Sequence, residues 1–154
     1  MRASQNSIIR KSLCCLLIAF STVSCDKDNN PTQAGSNQHS IRIGFLSAKT
    51  GGASHFGLPA FHAYQYAANA LAEYYGEHVI LHSTIMDTKS NQDTCLAELM
   101  ALKQQGINLV IGPFTSSELS NVRDYAKENK MVLISPSSVA RTLSLSDDYI
   151  FRMA

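Results

Sequence analysis

The chain has 154 residues, 45% hydrophobic and 16% charged, with 13 Lys and Arg against 12 Asp and Glu for a formal net charge of +1. That balance excludes nucleic-acid binding through a basic surface, which needs a local excess of Lys and Arg to neutralise phosphates. Residues 41–154, 114 in all, are enough for one domain that buries roughly two thirds of its unfolded surface.

Residues 1–24 read as a secretory signal. Arg2, Arg10 and Lys11 form a positive head, and Leu13 to Val23 form a short apolar stretch broken only by small polar residues. The stretch is about half the roughly 20 residues that span a bilayer, so a permanent transmembrane helix is not expected. The run Ser21-Thr22-Val23-Ser24-Cys25 resembles a bacterial lipobox, with Thr22 where a leucine is usual. The resemblance implies cleavage after Ser24 and diacylglyceryl modification of Cys25. Residues 25–40 continue as a flexible polar tether, without a large apolar residue, that cannot bury enough surface to offset its ordering entropy. A leash of this kind lets a soluble domain range above a membrane that acyl chains grip. With Cys14 and Cys15 removed and Cys25 acylated, only Cys95 remains, on an apolar helical face with Leu96, Leu99 and Leu102, where packing rather than nucleophilic chemistry is expected. Loss of the signal leaves ten basic against twelve acidic residues, a charge of −2.

From Ile41 onward, short runs rich in Ile and Val alternate with longer stretches of helical spacing. The spacing predicts strands at Ile41–Leu46, His78–Met86, Leu109–Gly112 and Met131–Ser135. Helices are predicted at about Phe56–Tyr75, Asn91–Gln105 and Ser116–Lys130. Thr115 with Glu118 three residues on reads as a capping box, and Ser90 with Asp93 as a looser one. Gly76 and Gly106 fall where glycine ends a helix. Strand, helix, strand three times over predicts an α/β fold: an open parallel sheet with helices on both faces and strand order 2-1-3-4.

In such a sheet the ligand crevice lies at the carboxyl ends of the strands. Here those ends carry SAKTGGASHFG, GPFTSS and SPSSVAR, loops crowded with small polar residues. Ser116 and Ser117 open a helix whose free N–H groups and dipole favour an anion, as an amino-acid carboxylate would be. The same residues also supply the turn and capping chemistry that any α/β fold needs, and the residues alone leave both readings open.

Four segments in order resemble one family, the type I periplasmic binding proteins of the leucine/isoleucine/valine-binding branch of ABC-transporter receptors. They are Ile43-Gly44-Phe45-Leu46 with Thr50-Gly51-Gly52-Ala53 and Gly57; Asp87 with Ser90; Val110-Ile111-Gly112-Pro113 with Ser116-Ser117; and Ile134-Ser135-Pro136-Ser137, closing on Tyr149-Ile150-Phe151-Arg152. The resemblance covers 41–154 and implies a Rossmann-like amino-terminal lobe. It further implies that Ser116 holds a ligand carboxylate, that the backbone of Ser137 meets a ligand ammonium, and that Phe56 shields the ligand, with Ser117 and Ser138 as neighbouring donors. Val139 stands where the family usually has a threonine. Family members trap ligand between two lobes, whereas this sequence stops about where the first crossover would begin. It is therefore expected to be one lobe of a truncated or longer protein, binding little by itself.

The enzyme signatures fail. No Gly-x-Ser-x-Gly elbow occurs, no lysine follows the glycines of TGGASHFG to make a phosphate loop, and the first strand ends in Leu46-Ser47 without the acid pair of a phosphoacceptor site. His39, His55 and His62 share no ligand spacing, and His78 with His82, four apart on one strand, is a pair without further ligands. The expectation is a non-enzymatic, exported solute receptor without cofactor or metal. It would be periplasmic or on the cell surface, held to the membrane through Cys25, with a small ligand such as a branched-chain amino acid and an ABC permease as partners and no nucleic acid. The alternative is a non-transport surface lipoprotein whose half-cleft binds a protein partner or nothing.

Overall fold

A computed structural model describes residues 39–143 and 149–153. The signal, Cys25 and the tether as far as residue 38 lie outside the described residues. Five strands make one parallel sheet: β1 (His39–Ser47), β2 (Val79–Asp87), β3 (Leu109–Ile111), β4 (Val132–Ser135) and β5 (Ile150–Arg152), in the order β2-β1-β3-β4-β5. The helices are α1 (Ser54–Tyr75), α2 (Gln92–Gln104) and α3 (Ser116–Glu128). The expected order 2-1-3-4 is observed, and β5 extends it by one strand. β1 begins at His39, two residues inside the stretch read as tether, and pairs with β2 through all nine of its residues.

Alternation along the strands assigns the helices to faces. Gly44 faces α2, since a Cβ built there would lie 2.7 Å from Leu102 Cδ1. Phe45, the next residue, faces α1: its ring stacks on Tyr64 at 4.5 Å and meets Phe61 at 6.1 Å. On the first face Leu46, Val110 and Leu133 join Cys95, Leu99 and Leu102 of α2 and Leu119, Val122 and Ala126 of α3 in the buried core. Among the described residues α1 is the one helix on the second face, and Gly57 is its one buried residue. Gly57 is small of necessity, because an added Cβ would fall 2.0 Å from the Ala48 carbonyl oxygen. Where α1 leaves the sheet, an apolar cavity of about 450 Å³ opens, lined by residues that include Ile41, Ile43, Leu71, Tyr75, Val79 and Leu81.

The helix ends follow the sequence with one correction. Thr115 caps α3, its hydroxyl accepting from the Glu118 N–H at 3.3 Å. Gly76 and Gly106 end the first two helices with positive φ. The cap of α2, however, is Asn91, whose side chain accepts from the Thr94 N–H at 2.8 Å. Ser90 stands just before it at φ 58° and turns its hydroxyl to the loop after β1. His78 is also displaced: it closes a 3-10 turn, Gly76–His78, and only His82 lies on β2. His78 and His82 therefore do not share a strand, as their spacing in the sequence had suggested.

Among the described residues no helix is long and apolar enough to cross a membrane, and no group of three or more His, Cys, Asp and Glu gathers as metal ligands would.

Candidate functional site

Four loops meet at the carboxyl ends of β1 to β4. The turn after β3 is the most constrained: Gly112 sits at φ 109°, and a Cβ there would lie 2.0 Å from the Leu46 carbonyl oxygen. Only glycine lets β3 pass this close to β1 before the chain turns through Pro113 into Phe114. Phe114 tilts against Phe45 at 5.5 Å, so the turn rests on the aromatic cluster under α1. α3 then starts at Ser116, its unsatisfied N–H groups and positive dipole end directed at the crevice.

The loop after β4 is stitched to that turn. Ser135 Oγ donates to the Pro113 carbonyl at 2.5 Å and lies 2.7 Å from Ser138 Oγ. Ser137 Oγ donates to the Phe114 carbonyl at 2.6 Å. Arg152 of β5 donates to the carbonyls of Ser138 and Ala140 from the other side. The Ala140 N–H donates to Ser116 Oγ at 3.3 Å. A hydroxyl has one proton to give and two lone pairs, so this contact uses a lone pair of Ser116 Oγ and not its proton.

Phe56, Phe114, Thr115, Ser116 and Ser137 line one cavity of about 240 Å³. Three of the five residues singled out in the sequence, Phe56, Ser116 and Ser137, thus stand around a common space. Ser117 is exposed on the first turn of α3, 3.4 Å from Thr115 Oγ1, and does not line it. Ser138 is fully buried beneath the loop, occupied with Ser135, and is not available as a substitute donor. Val139 is 70% exposed. Phe114 and Thr115 were not among the residues singled out for the site. Their position between a Gly-Pro turn and the helix start was visible, but nothing in the residue types shows that the turn points them inward.

The loop after β1, which leads to Phe56, is held by Asp87 at the end of β2. Its carboxylate accepts from the N–H groups of Lys49 at 2.9 Å, Thr50 at 3.2 Å and Lys89 at 3.0 Å, and from the Thr50 hydroxyl at 2.8 Å. Burial pushes the Asp87 carboxyl up, but the hydrogen bonds from Lys89, Thr50 and Lys49 together outweigh it and hold it below the ordinary carboxylate range. Cys95 goes the other way. Burial first, and then the charge of nearby Glu118, raise its thiol far above the usual value, so it stays protonated and inert.

The wound sheet of the described residues, with a recess lined by two aromatic rings and three hydroxyl side chains at the carboxyl ends of its strands, has the build of a binding-protein lobe. Comparison with known proteins makes this specific: the chain belongs to the periplasmic binding protein family, whose model matches residues 40–154. An uncharacterized protein of Methanocaldococcus jannaschii, MJ1266, is 31% identical over 118 residues, 75% of this chain and 28% of that protein. Among solved structures, the branched-chain amino-acid transporter substrate-binding protein LivJ of Streptococcus pneumoniae, in complex with isoleucine, matches with a TM-score of 0.71 at 25% identity. The match covers 75% of this chain and 34% of LivJ. The leucine-binding protein LivK of Thermotoga maritima matches with a TM-score of 0.63 at 25% identity, over 73% of this chain and 32% of its own. The chain spans about a third of the length of these relatives, and the two solved structures among them are substrate-binding proteins.

Proposed function

We propose that the chain is the amino-terminal lobe of a solute receptor that takes an amino acid of the branched-chain type and serves an ABC permease. The observation that carries this reading is the convergence of Ser116, Ser137 and Phe56 on one cavity at the carboxyl ends of β3 and β4. In this reading the Ser116 hydroxyl and the free N–H groups of α3 hold the ligand carboxylate, where the helix dipole also favours negative charge. The backbone of Ser137 receives the ammonium group. Phe56, 63% exposed at the start of α1, covers the apolar side chain once a second lobe closes. One lobe leaves much of the ligand in water, whereas tight small-ligand sites bury 70% or more of it, so affinity for this chain by itself is weak.

The test is thermal unfolding of the 154-residue chain in rising isoleucine. A Kd of a few millimolar raises stability by about 1 kcal/mol at five times that concentration. A saturable rise that disappears in Ser116→Ala supports the reading. No saturable response to isoleucine, leucine or valine at tens of millimolar refutes it, and a lipoprotein whose half-cleft takes a protein partner or nothing becomes the better account.

Export and anchoring through acylated Cys25 are part of the same proposal, supported by the family and by the signal-like sequence of residues 1–25. Expressed in a bacterium, the wild-type chain is expected in the membrane fraction and Cys25→Ala in the soluble fraction. Equal membrane retention of both would show that no lipid at Cys25 holds it.

A further inference from the structure

Glu118 is 1% exposed, a carboxylate in the core beside Leu119 and Cys95. Burying an acid is expensive, and the cap of α3 does not require one, because Thr115 Oγ1 receives the Glu118 N–H whatever the side chain at 118. The carboxylate is spent on two other contacts. Its Oε2 accepts from the Thr115 hydroxyl at 2.6 Å, and its Oε1 accepts from the Thr88 hydroxyl at 2.5 Å. Thr115 lines the cavity. Thr88 belongs to a different loop, the one after β2, and is itself fully buried.

From Thr88 the connection continues to the first loop. The Thr88 N–H donates to the Ser47 carbonyl at 3.0 Å. Its neighbour Asp87 takes three hydrogen bonds from Lys49 and Thr50, and Ser90 Oγ donates to the Thr50 carbonyl while receiving the Ala53 N–H. Ala53 is the residue from which α1, and with it Phe56, starts. The two walls of the cavity, Phe56 from one helix start and Thr115-Ser116 from another, are thus joined by a buried hydrogen-bonded path through Glu118 and Thr88.

We propose that Glu118 is a positioning residue for the candidate ligand site: by bridging Thr88 to Thr115 it fixes the spacing between the wall that carries Phe56 and the wall that carries Ser116. This rests on the receptor reading for its functional meaning, although the bracing itself is tested without ligand.

The experiment is residue-resolved hydrogen exchange on the 154-residue chain, comparing wild type with Glu118→Gln, Thr88→Val and Thr88→Ser. A side chain that served only the α3 cap would, when changed, speed exchange in the first turn of α3, at Leu119. A positioning residue also frees the far loop, so exchange at the Lys49 and Ala53 amides is expected to rise about tenfold in Glu118→Gln and Thr88→Val. The slow amides of β1 and β3 should stay as in wild type, and Thr88→Ser, which keeps the hydroxyl, should restore wild-type rates. Unchanged exchange at Lys49 and Ala53, or a rise shared equally by the slow amides of β1 and β3, overturns the proposal. If Glu118→Gln does not fold, Thr88→Val alone decides. Isoleucine titration of the same proteins separates the two claims. Wild-type binding weakened several-fold in Thr88→Val, which touches no cavity residue, joins the bracing to recognition, and wild-type binding left equal in Thr88→Val denies that link. Absence of binding in the wild type defeats the receptor reading, and with it the positioning role, while the exchange rates still report whether the brace exists.

Discussion

Gly44, Val110, Leu133 and Ile150 stand in one row across the sheet, and Phe45, Ile111, Ile134 and Phe151 in the next, on the opposite face. The first row is sealed: Val110 and Leu133 are fully buried under α2 and α3, and Ile150 packs at the margin of their core. The second row is sealed at one end only. Phe45 is 1% exposed beneath α1, but Phe151 at the other edge is 60% exposed. Both rows are apolar, as a parallel sheet covered on both faces requires, so the sequence of the strands asks for two full helical layers. The helices described here supply one complete layer and part of the other.

Substitutions in β4 sharpen this contrast most, because neighbours in sequence fall on opposite faces. Leu133→Ala is expected to cost about 3 kcal/mol, the usual loss for a large aliphatic side chain in a closed core. Ile134→Ala, one residue on, should cost about 1 kcal/mol, and Phe151→Lys at the edge should stay within about 0.5 kcal/mol. Urea unfolding of the three variants checks the series, and equal losses at 133 and 134 would mean that the second face is closed in solution.

The smallest effect concerns the crevice rim, which belongs to neither face. Asp87 is held below its ordinary value of 3.8 by the hydrogen bonds that outweigh its burial. A carboxyl with a lowered folded pKa contributes stability that is fully present above its unfolded value and fades as pH falls through the folded one. The difference in Tm between wild type and Asp87→Asn should therefore be constant from about pH 8 to pH 5 and shrink below about pH 4. A difference that persists unchanged at pH 3 would assign the effect to shape rather than charge.

Much of the fold is legible in the sequence because it rests on local rules. The alternation of Ile and Val runs with helical spacing gives β1 to β4 and their order, and Thr115, Gly76 and Gly106 mark helix ends by chemistry that needs no partner far away. What escapes is decided by contacts distant in sequence. Ser90 looks like a cap, but its hydroxyl is engaged by Thr50 and Ala53, some forty residues earlier, and Asn91 takes the role instead. Ser138 has the right type for a rim donor, yet Ser135 draws it inside. Glu118 reads as half of a capping box, whereas its carboxylate reaches Thr88 thirty residues away. The candidate site is legible to the extent that Phe56, Ser116 and Ser137 sit at turns the strand pattern locates and line one cavity, and Phe114 is not, because its course follows from the crossing of Gly112 over Leu46.

Cys95 gives the closed face its own clock. Fully buried between α2 and the sheet and kept as a thiol, it cannot meet a water-soluble disulfide reagent until that face comes apart. In a chain with Cys14, Cys15 and Cys25 replaced, the rate of labelling at this sulfur would count how often the sealed half of the molecule opens, with no reporter residue introduced into the fold.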